Sequence, residues 1–484
     1  MSSVAVLAVA SEVFPLIKTG GLADVVGALP PAMAAEDVHT ITLVPGYPAV
    51  LRGLVDAAPV YDLPDLFGGP ARLLRGHAAG LDLLAIDAPH LYARGGSPYA
   101  DPSGRDWGDN AIRFGALGAV GALVARGSVA GIAPDILHAH DWQAGLALAY
   151  LHYGGGRRPG TVLTVHNLAF QGRFPASLLG TLGLPPESFS VNGVECYGEI
   201  GFLKAGLYFA DRITTVSPTY AAEICTPQGG MALDGLLRSR ASVLHGILNG
   251  IDDAVWNPAR DPLIVADFSA NRLEGRTACK RSLQAWFGLE TQPDALLFGV
   301  ISRLTWQKGL DLLLADIDTL LGVGAQLVVV GSGEGWLEAG FRGTAAAHPG
   351  RVGCVIGYDE ALAHQIQAGV DALLVPSRFE PCGLTQLCAL RYGALPVVAR
   401  VGGLADTIID ANEAALGVGT GSGVQFAPVT QEMLQAAMLR MAGLWRQPEV
   451  WRRLQVNAMR TDVSWRRPAA RYAALFRDVV AELA

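Results

Sequence analysis

Short apolar runs alternate with longer helical patterns along the whole chain. Each run is rich in Val, Ile and Leu, and a glycine-rich or polar turn follows it. The runs are VAVLAVA, TITLVP, LDLLAID, DILHAHD, TVLTVHN, RITTVSP, LLFGVIS, QLVVVGSG, GCVIGY, ALLVPS and LPVVAR. Apolar strands that alternate with helices are typical of parallel sheets covered by helices on both faces. The pattern therefore predicts an α/β protein throughout.

Two helical patterns stand out by their apolar residues, and the first raises the question of a membrane segment. The first covers residues 114–125, is flanked by Arg113 and Arg126, and is too short to cross a bilayer. The second is SWRRPAARYAALFRDVVAELA at the end of the sequence, where apolar side chains such as Tyr472 and Phe476 recur at helical spacing. We expect no membrane segment, and we expect the second pattern to form an amphipathic helix that packs on a neighbouring domain.

The length of 484 residues exceeds what one hydrophobic core usually supports, so two domains are expected. A seam lies near LHGILNGIDDAVWNPARDP, where an Asn-Gly pair, two adjacent aspartates and two prolines follow a strand pattern. We place a first domain at residues 1–248, a second at 249–461, and the final helical segment at 462–484.

The amino-acid composition limits the kinds of molecule that the protein is expected to bind. The formal net charge of −8 offers no broad attraction to nucleic acid or to an anionic membrane, so an anionic ligand would need a few local cations. Six cysteines without CxxC pairing argue against a zinc knuckle or a disulfide framework. The opening MSSVAVLAVAS lacks a basic segment before its apolar run, which favours a buried strand over a signal peptide. A reducing cytoplasm is the expected location.

The letters Gly-Gly-Leu-Ala-Asp occur twice, at residues 20–24 and 402–406, and Lys18 precedes only the first copy. Small glycines let a helix N-terminus approach a ligand closely, so twin turns facing each other across a cleft are one interpretation. Coincidence in a chain with 59 glycines is the other. The sequence alone leaves both open.

Histidines end two of the predicted strands. In HAHDW, His138 and His140 alternate and therefore face the same side of a strand, as a pair of metal ligands would. No further cluster with ligand spacing accompanies them, so we expect a strand end that lines a cleft, with Asp141 as the residue of chemical interest. His166 ends the strand of TVHN, where a buried core histidine is an equally good interpretation.

Three segments of the second half bear on nucleotide binding. In VVVGSGEGW the third glycine of a dinucleotide fingerprint falls on Trp336, so the fingerprint fails. Arg303 and Lys308 stand between a strand and a helix, where two cations suit a diphosphate, although a solvated turn remains the alternative. Glu380 lies in a proline-broken turn, where its carboxylate can accept sugar hydroxyls, and the helix opening at residues 383–385 offers free amides to phosphate oxygens.

Together these motifs resemble the bacterial glycogen synthases and plant starch synthases, which are retaining glucosyltransferases of the two-Rossmann-domain (GT-B) architecture. The motifs that carry the resemblance are KTGGLADVVGALP, HAHDW, TVHNLAFQG, GFLKAGLYFADRITTVSPTYA, LHGILNGID, ISRLTWQKG and SRFEPCGLTQL. The resemblance implies two Rossmann-like domains facing each other across a cleft, with residues 1–248 on the acceptor side and 249–461 on the donor side. It also implies that the helix at 462–484 crosses back to the first domain.

The implied reaction transfers glucose from ADP-glucose to the nonreducing end of an α-1,4-glucan such as glycogen, with retention of configuration. Neither a metal nor another cofactor is implied, and no nucleic acid or membrane partner. No protein nucleophile is obvious, so front-face attack assisted by the leaving phosphate is the implied mechanism. The sequence does not decide between a monomer and a homo-oligomer. From first principles it also does not decide between ADP-glucose and UDP-glucose as the donor.

By resemblance, the site residues fall into two groups. The catalytic residues are His166, Asp141, Arg303, Lys308 and Glu380. The residues that bind ADP-glucose are Lys18, Gly20, Gly21, Asp24, Asn249, Tyr358, Cys382, Gly383, Leu384 and Thr385. Arg303 and Lys308 neutralise the pyrophosphate, Glu380 contacts the glucosyl hydroxyls, and Tyr358 stacks near the base. One departure is Ala232, which stands where the family pattern has glycine.

Two other functions compete with this hypothesis. One is an α-glucan phosphorylase-like enzyme or a hydrolase; the former carries pyridoxal phosphate on a lysine, and the latter shows a carboxylate pair flanking the bond. The other is a non-catalytic glucan-binding protein, for which the intact set of Lys18, Arg303, Lys308 and Glu380 would be unexpected.

Overall fold

A computed structural model describes residues 3–483. The strands are β1 (Val4–Val9), β2 (Val38–Pro45), β3 (Val55–Leu63), β4 (Ala71–Ala78), β5 (Leu81–Asp87), β6 (Ile136–His140), β7 (Gly160–Val165), β8 (Arg173–Pro175), β9 (Glu195–Cys196), β10 (Glu199–Gly201), β11 (Arg212–Thr215), β12 (Leu244–Gly246), β13 (Leu297–Ile301), β14 (Gln326–Gly331), β15 (Val352–Ile356), β16 (Ala372–Val375), β17 (Leu395–Ala399) and β18 (Val424–Phe426).

The α-helices are α1 (Gly21–Ala34), α2 (Pro48–Gly53), α3 (Pro89–Tyr92), α4 (Asn110–Ala125), α5 (Asp141–Tyr153), α6 (Phe202–Phe209), α7 (Pro218–Glu223), α8 (Asp234–Ser239), α9 (Gly275–Trp286), α10 (Leu310–Ala315), α11 (Ile317–Gly322), α12 (Gly335–Ala347), α13 (Glu360–Gly369), α14 (Thr385–Tyr392), α15 (Gly402–Thr407), α16 (Glu413–Val418), α17 (Gln431–Trp445), α18 (Pro448–Arg460) and α19 (Arg466–Leu483). No helix among residues 3–483 has the length and apolarity that crossing a membrane requires.

The chain divides into two compact units. The first holds the residues up to Asn249 and those from Trp465 onward, and the second holds Gly250–Ser464. The main sheet of the first unit has the order β12-β11-β7-β6-β1-β2-β5-β4-β3, and a small sheet has the order β8-β10-β9. The sheet of the second unit has the order β15-β14-β13-β16-β17-β18, and every pairing in it is parallel.

All eleven predicted apolar runs form strands, and the α/β prediction is confirmed. One edge of the first sheet differs from the parallel expectation, because β4 pairs antiparallel with both β5 and β3. The sequence did not reveal β3, because its first five residues are exposed and it lacks the apolar run of a buried strand.

Each of the two main sheets contains one position at which the direction of winding reverses. From β1 the chain continues outward to β2 and β5, whereas from β6 it continues in the opposite direction to β7 and β11. The same reversal separates β13 from β16 in the second unit. The loops that leave neighbouring strands at such a switch point diverge, and ligands of open α/β sheets bind in the crevice at the strands' carboxyl ends.

The final helix packs within the first unit. Tyr472, Phe476 and Val479 of α19 are buried together with Val25 and Leu29 of α1. The predicted amphipathic helix is therefore confirmed, and it covers one face of the first sheet.

Replacing Phe476, which is fully buried, with alanine should lower the free energy of unfolding by about 3–5 kcal/mol, because a large cavity opens under α19. In the same helix, Leu483→Ala removes a side chain of a residue that is 50% exposed and should cost less than about 1 kcal/mol. Urea unfolding measures both. Equal losses in the two variants would contradict the packing assigned to α19.

Candidate functional site

The loop after β1 is organised around a buried carboxylate, Glu12. The side chain of Glu12 accepts hydrogen bonds from the backbone N–H of Thr19, from the Thr19 hydroxyl at 2.6 Å and from the Tyr99 hydroxyl. Glu12 is only 2% exposed, so these three donors are what make its burial tolerable. Sequence reasoning missed Glu12, although its position three residues beyond a buried strand was a usable signal.

The same loop carries Lys18 to the start of α1. The Nζ atom of Lys18 lies 2.8 Å from the carboxylate of Asp24. Gly20 precedes the helix in an extended conformation, with no side chain capping the first turn, and an added Cβ there would meet no atom within 4 Å. The predicted residues Lys18, Gly20, Gly21 and Asp24 therefore lie together around an open helix N-terminus.

Asp141 and His166 meet at the ends of β6 and β7. Asp141 Oδ1 accepts the backbone N–H of His166 at 2.7 Å and that of Asn167 at 3.4 Å. Burial raises the pKa of Asp141 to about 7, although these two amides act in the opposite direction. Asp141 also has a positive φ of 55°, an uncommon conformation for a residue other than glycine. This conformation occurs at the switch point between β1 and β6.

The two histidines of β6, His138 and His140, form a column with His166, which directly follows β7. His138 Nε2 lies 2.6 Å from the hydroxyl of Thr164, which in turn lies 2.6 Å from that of Thr214. His140 Nδ1 lies 3.0 Å from His166 Nε2. Burial lowers the pKa of His138 and of His166 to about 3, so these rings are neutral. Within residues 3–483 no three side chains of His, Cys, Asp and Glu are grouped as metal ligands.

In the second unit, Lys308 and Glu380 form a partly buried ion pair beside the switch point. Lys308 Nζ lies 2.5 Å from Glu380 Oε2, which also accepts the Ser377 hydroxyl at 2.9 Å. Lys308 follows β13 and Glu380 follows β16, so the reversal of winding brings the two together. Gly309 makes this approach possible, because its φ is 67° and an added Cβ would stand 2.0 Å from the carbonyl oxygen of Pro376.

Arg303 lies on the same side of the switch point, after β13. Its side chain is exposed, and among the described residues it forms no ion pair. The guanidinium is therefore available to an anionic ligand next to the paired Lys308.

The second Gly-Gly-Leu-Ala-Asp copy supports the loop that carries Glu380. An added Cβ on Gly402, whose φ is 41°, would stand 2.0 Å from the carbonyl oxygen of Glu380, and one on Gly403 would stand 2.3 Å from that of Cys382. The N–H of Gly403 donates to the carbonyl of Glu380 at 3.0 Å. The two copies thus have different environments, because Gly20 faces open space whereas Gly402 and Gly403 press against backbone.

The turn from Cys382 to Thr385 is fixed by Gln386, which sequence reasoning also missed. Gln386 Nε2 donates to the carbonyl oxygens of Cys382 at 3.0 Å and Gly383 at 2.9 Å. Gly383 has a φ of 73°, and Leu384 immediately precedes α14. Cys382, Gly383, Leu384 and Thr385 therefore lie in one rigid turn beside Glu380.

Two predicted binding residues lie apart from these groups. Tyr358 follows β15, which is two strands from β13. The residue is 62% exposed, and its hydroxyl donates a hydrogen bond to the carboxylate of Glu360. Asn249 is the last residue of the first unit's main segment and is 8% exposed. Its Oδ1 atom is buried without a hydrogen-bond partner in the described structure, which suits an additional donor from a ligand or water.

Family models match a segment in each of the two units. The family model described as "Starch synthase catalytic domain" matches residues 5–239, and "Glycosyl transferases group 1" matches residues 295–442. Glycogen synthase of Methylocella silvestris is 65% identical over 482 residues, which is 100% of both chains. The chain belongs to the glycogen and starch synthase family. A second glycogen synthase of this family, from Rhodopseudomonas palustris, is 62% identical over 100% of both chains.

Comparison with solved structures shows that this chain has the GT-B fold. The catalytic domain of starch synthase IV from Arabidopsis thaliana, bound to ADP and acarbose, superposes with a TM-score of 0.90 at 31% identity, over 99% of this chain and 100% of that one. Sucrose-phosphate synthase from Thermosynechococcus elongatus shares the fold, with a TM-score of 0.60 at 16% identity over 99% and 100% of the two chains. The family and fold class expected from the motifs are confirmed.

Gly402→Ala should destabilise the second unit by about 1–3 kcal/mol, because its φ is 41° and the new methyl group has no space against the carbonyl oxygen of Glu380. The matched variant in the first copy of the motif, Gly20→Ala, should change stability by less than about 0.5 kcal/mol, since its Cβ meets no atom. Urea unfolding of both variants measures the difference, and a similar loss in Gly20→Ala would overturn the contrast between the two copies.

Asp141→Asn should become more stable relative to wild type as pH rises. The folded protein keeps Asp141 protonated up to about pH 7, whereas the unfolded chain ionises it near 3.8. The wild type therefore loses stability between about pH 4 and 7, and the neutral amide does not. From pH 5 to pH 8 the difference in unfolding free energy should shift by roughly 2–3 kcal/mol in favour of the variant. Denaturant unfolding at both pH values tests this, and a constant difference would refute it.

Proposed function

We propose that the protein is a glycogen synthase, which transfers glucose from ADP-glucose to the nonreducing end of an α-1,4-glucan with retention of configuration. The observation that carries the proposal is the Lys308–Glu380 pair beside the exposed Arg303 at the switch point of the second sheet. The same chain aligns with a glycogen synthase over 100% of both sequences, and it carries the motifs quoted above. The second unit is the donor side and the first unit is the acceptor side.

The cations of the second unit act on the leaving group. As the bond to the anomeric carbon breaks, negative charge develops on the diphosphate of ADP. Arg303 can contact this charge directly, and Lys308 is already held in place by Glu380. Preorganised charges of this kind need no rearrangement at the moment of reaction, and each can contribute several kcal/mol.

The remaining groups of the second unit bind the sugar and the base. Glu380 has a second carboxylate oxygen for the glucosyl hydroxyls, because its ion pair and its bond from Ser377 both use Oε2. The turn from Cys382 to Thr385 contributes backbone amides to glucose and phosphate. The exposed ring of Tyr358 offers a stacking surface to the base.

In the first unit, the loop at Lys18 adds a further cation and an open helix N-terminus for phosphate oxygens. His166 lies beside the transferred glucose as a neutral ring, and Asp141 holds the backbone at that position. No side chain is assigned as a nucleophile, so the acceptor hydroxyl attacks from the face that the diphosphate leaves, and a phosphate oxygen takes its proton. Trapping a glucosyl group on a protein side chain would refute this mechanism.

The related starch synthase IV structure was obtained with ADP and acarbose, which supports an ADP-linked donor here. We place the enzyme in the cytoplasm, in agreement with six cysteines that lack CxxC spacing. The phosphorylase-like and glucan-binding alternatives have no comparable support, since the matched relatives are glycogen synthases.

The deciding experiment is incorporation of labelled glucose into glycogen, with ADP-glucose and UDP-glucose offered side by side and with a chelator present. We expect strong incorporation from ADP-glucose that survives the chelator. Incorporation from neither donor, combined with release of glucose 1-phosphate by inorganic phosphate, would replace the proposal with a phosphorylase.

Lys308→Ala should lower kcat about 100- to 1000-fold, because it removes a charge that stabilises the leaving diphosphate. Binding of glycogen should stay within about twofold, since Lys308 belongs to the donor side. The control is Arg342→Ala, which removes an exposed cation on α12 of the same unit and should leave turnover unchanged. Equal losses of turnover and glycogen binding in Lys308→Ala would contradict the role of Lys308.

A further inference from the structure

The HAH sequence contains a residue with no role in the reaction described above. His140 bonds the imidazole ring of His166, with Nδ1 of the first 3.0 Å from Nε2 of the second. Both residues are buried, at 2% and 9% exposure. His138, two residues earlier on the same face of β6, bonds Thr164 instead. The strand therefore places one histidine directly behind His166 and the other deeper in the fold.

The contact couples the proton positions of the two rings. Burial lowers the pKa of His166 to about 3 and that of His140 well below its ordinary value, so both rings are neutral and each carries one N–H. A hydrogen bond between two ring nitrogens contains one proton. When His140 Nδ1 holds it, His166 carries its own proton on Nδ1. When His166 Nε2 holds it, Nδ1 of His166 is bare.

We propose that His140 is a positioning residue that fixes the tautomer and ring orientation of His166. The proposal rests on the role given to His166 in the proposed function. A neutral imidazole nitrogen beside a sugar hydroxyl donates in one tautomer and accepts in the other, so the tautomer determines whether that hydroxyl accepts or donates in the contact. The hydrogen bond made by one ring nitrogen determines what the other nitrogen offers. His140 thus controls the nitrogen of His166 that it does not itself contact.

Two amide variants of His140 separate positioning from packing. Asparagine places its amide near the position of Nδ1, whereas glutamine places it near that of Nε2, so His140→Asn keeps a partner for His166 and His140→Gln does not. In ¹⁵N-histidine NMR spectra, His166 should show a single tautomer in wild type and His140→Asn, and a mixture in His140→Gln. The His166 signals are identified by their loss in His166→Asn.

Activity should follow the same order. His140→Gln should lower kcat roughly 10- to 100-fold, the effect expected when a catalytic group is misplaced, with KM for ADP-glucose within about threefold of wild type. His140→Asn should stay within about threefold in both constants. Should His140→Gln not fold, His140→Ser replaces it, because its hydroxyl is too short to reach the ring of His166.

His138 supplies the matched control. Its bonding atom is Nε2, so here His138→Gln is the conservative change and His138→Asn the disruptive one. His138→Asn should lower stability but leave the tautomer of His166 and kcat unchanged. A single tautomer in His140→Gln, or an equal fall of kcat in His138→Asn, would overturn the proposal. Because the spectra need no substrate, they decide it even if the wild type transfers no glucose from either donor.

Discussion

The reversal of winding in each of the two main sheets is the constraint on which the candidate site residues of each unit depend. At β1 and β6, and again at β13 and β16, neighbouring parallel strands send their chains in opposite directions. The loops that leave these strands diverge, and the chemistry-bearing residues lie at the strand ends or in the turns that follow them. Lys308 and Glu380 are 72 positions apart in sequence, yet they meet because their strands are neighbours at such a point.

Buried carboxylates help to hold the loops at these points. Glu12 and Glu380 are 2% and 7% exposed, and each is compensated by donors from more than one segment. A buried charge of this kind adds little net stability, because desolvation offsets the attraction between the partners. Removing one partner is nevertheless costly. Such pairs therefore fix a geometry, which a site that must meet a diphosphate and a sugar in register requires.

The amino-acid pattern was sufficient for the parts of the fold that apolar periodicity controls. All eleven runs became strands, and Arg303, Lys308 and Glu380 follow strand ends as their motifs predicted. The pattern was insufficient where exposure or distant contacts decide. The edge strand β3 has no apolar run, and the partners of Glu12 come from two separate loops. The role of Gly402 as a support for Glu380 depends on a close approach that spacing cannot show.

The histidine column joins the last helix of the chain to the carboxyl end of β7. The ring of His138 lies 5.6 Å from that of Tyr472 and 5.4 Å from that of Phe476, and it is 4.1 Å from that of His140, which contacts His166. Aromatic rings of α19 therefore pack against His138, the first histidine of the column. Burial lowers the pKa of His138 and of His140, so both imidazoles are neutral. The packing of α19 thus contributes to the burial that keeps His138, the first histidine of the column, neutral.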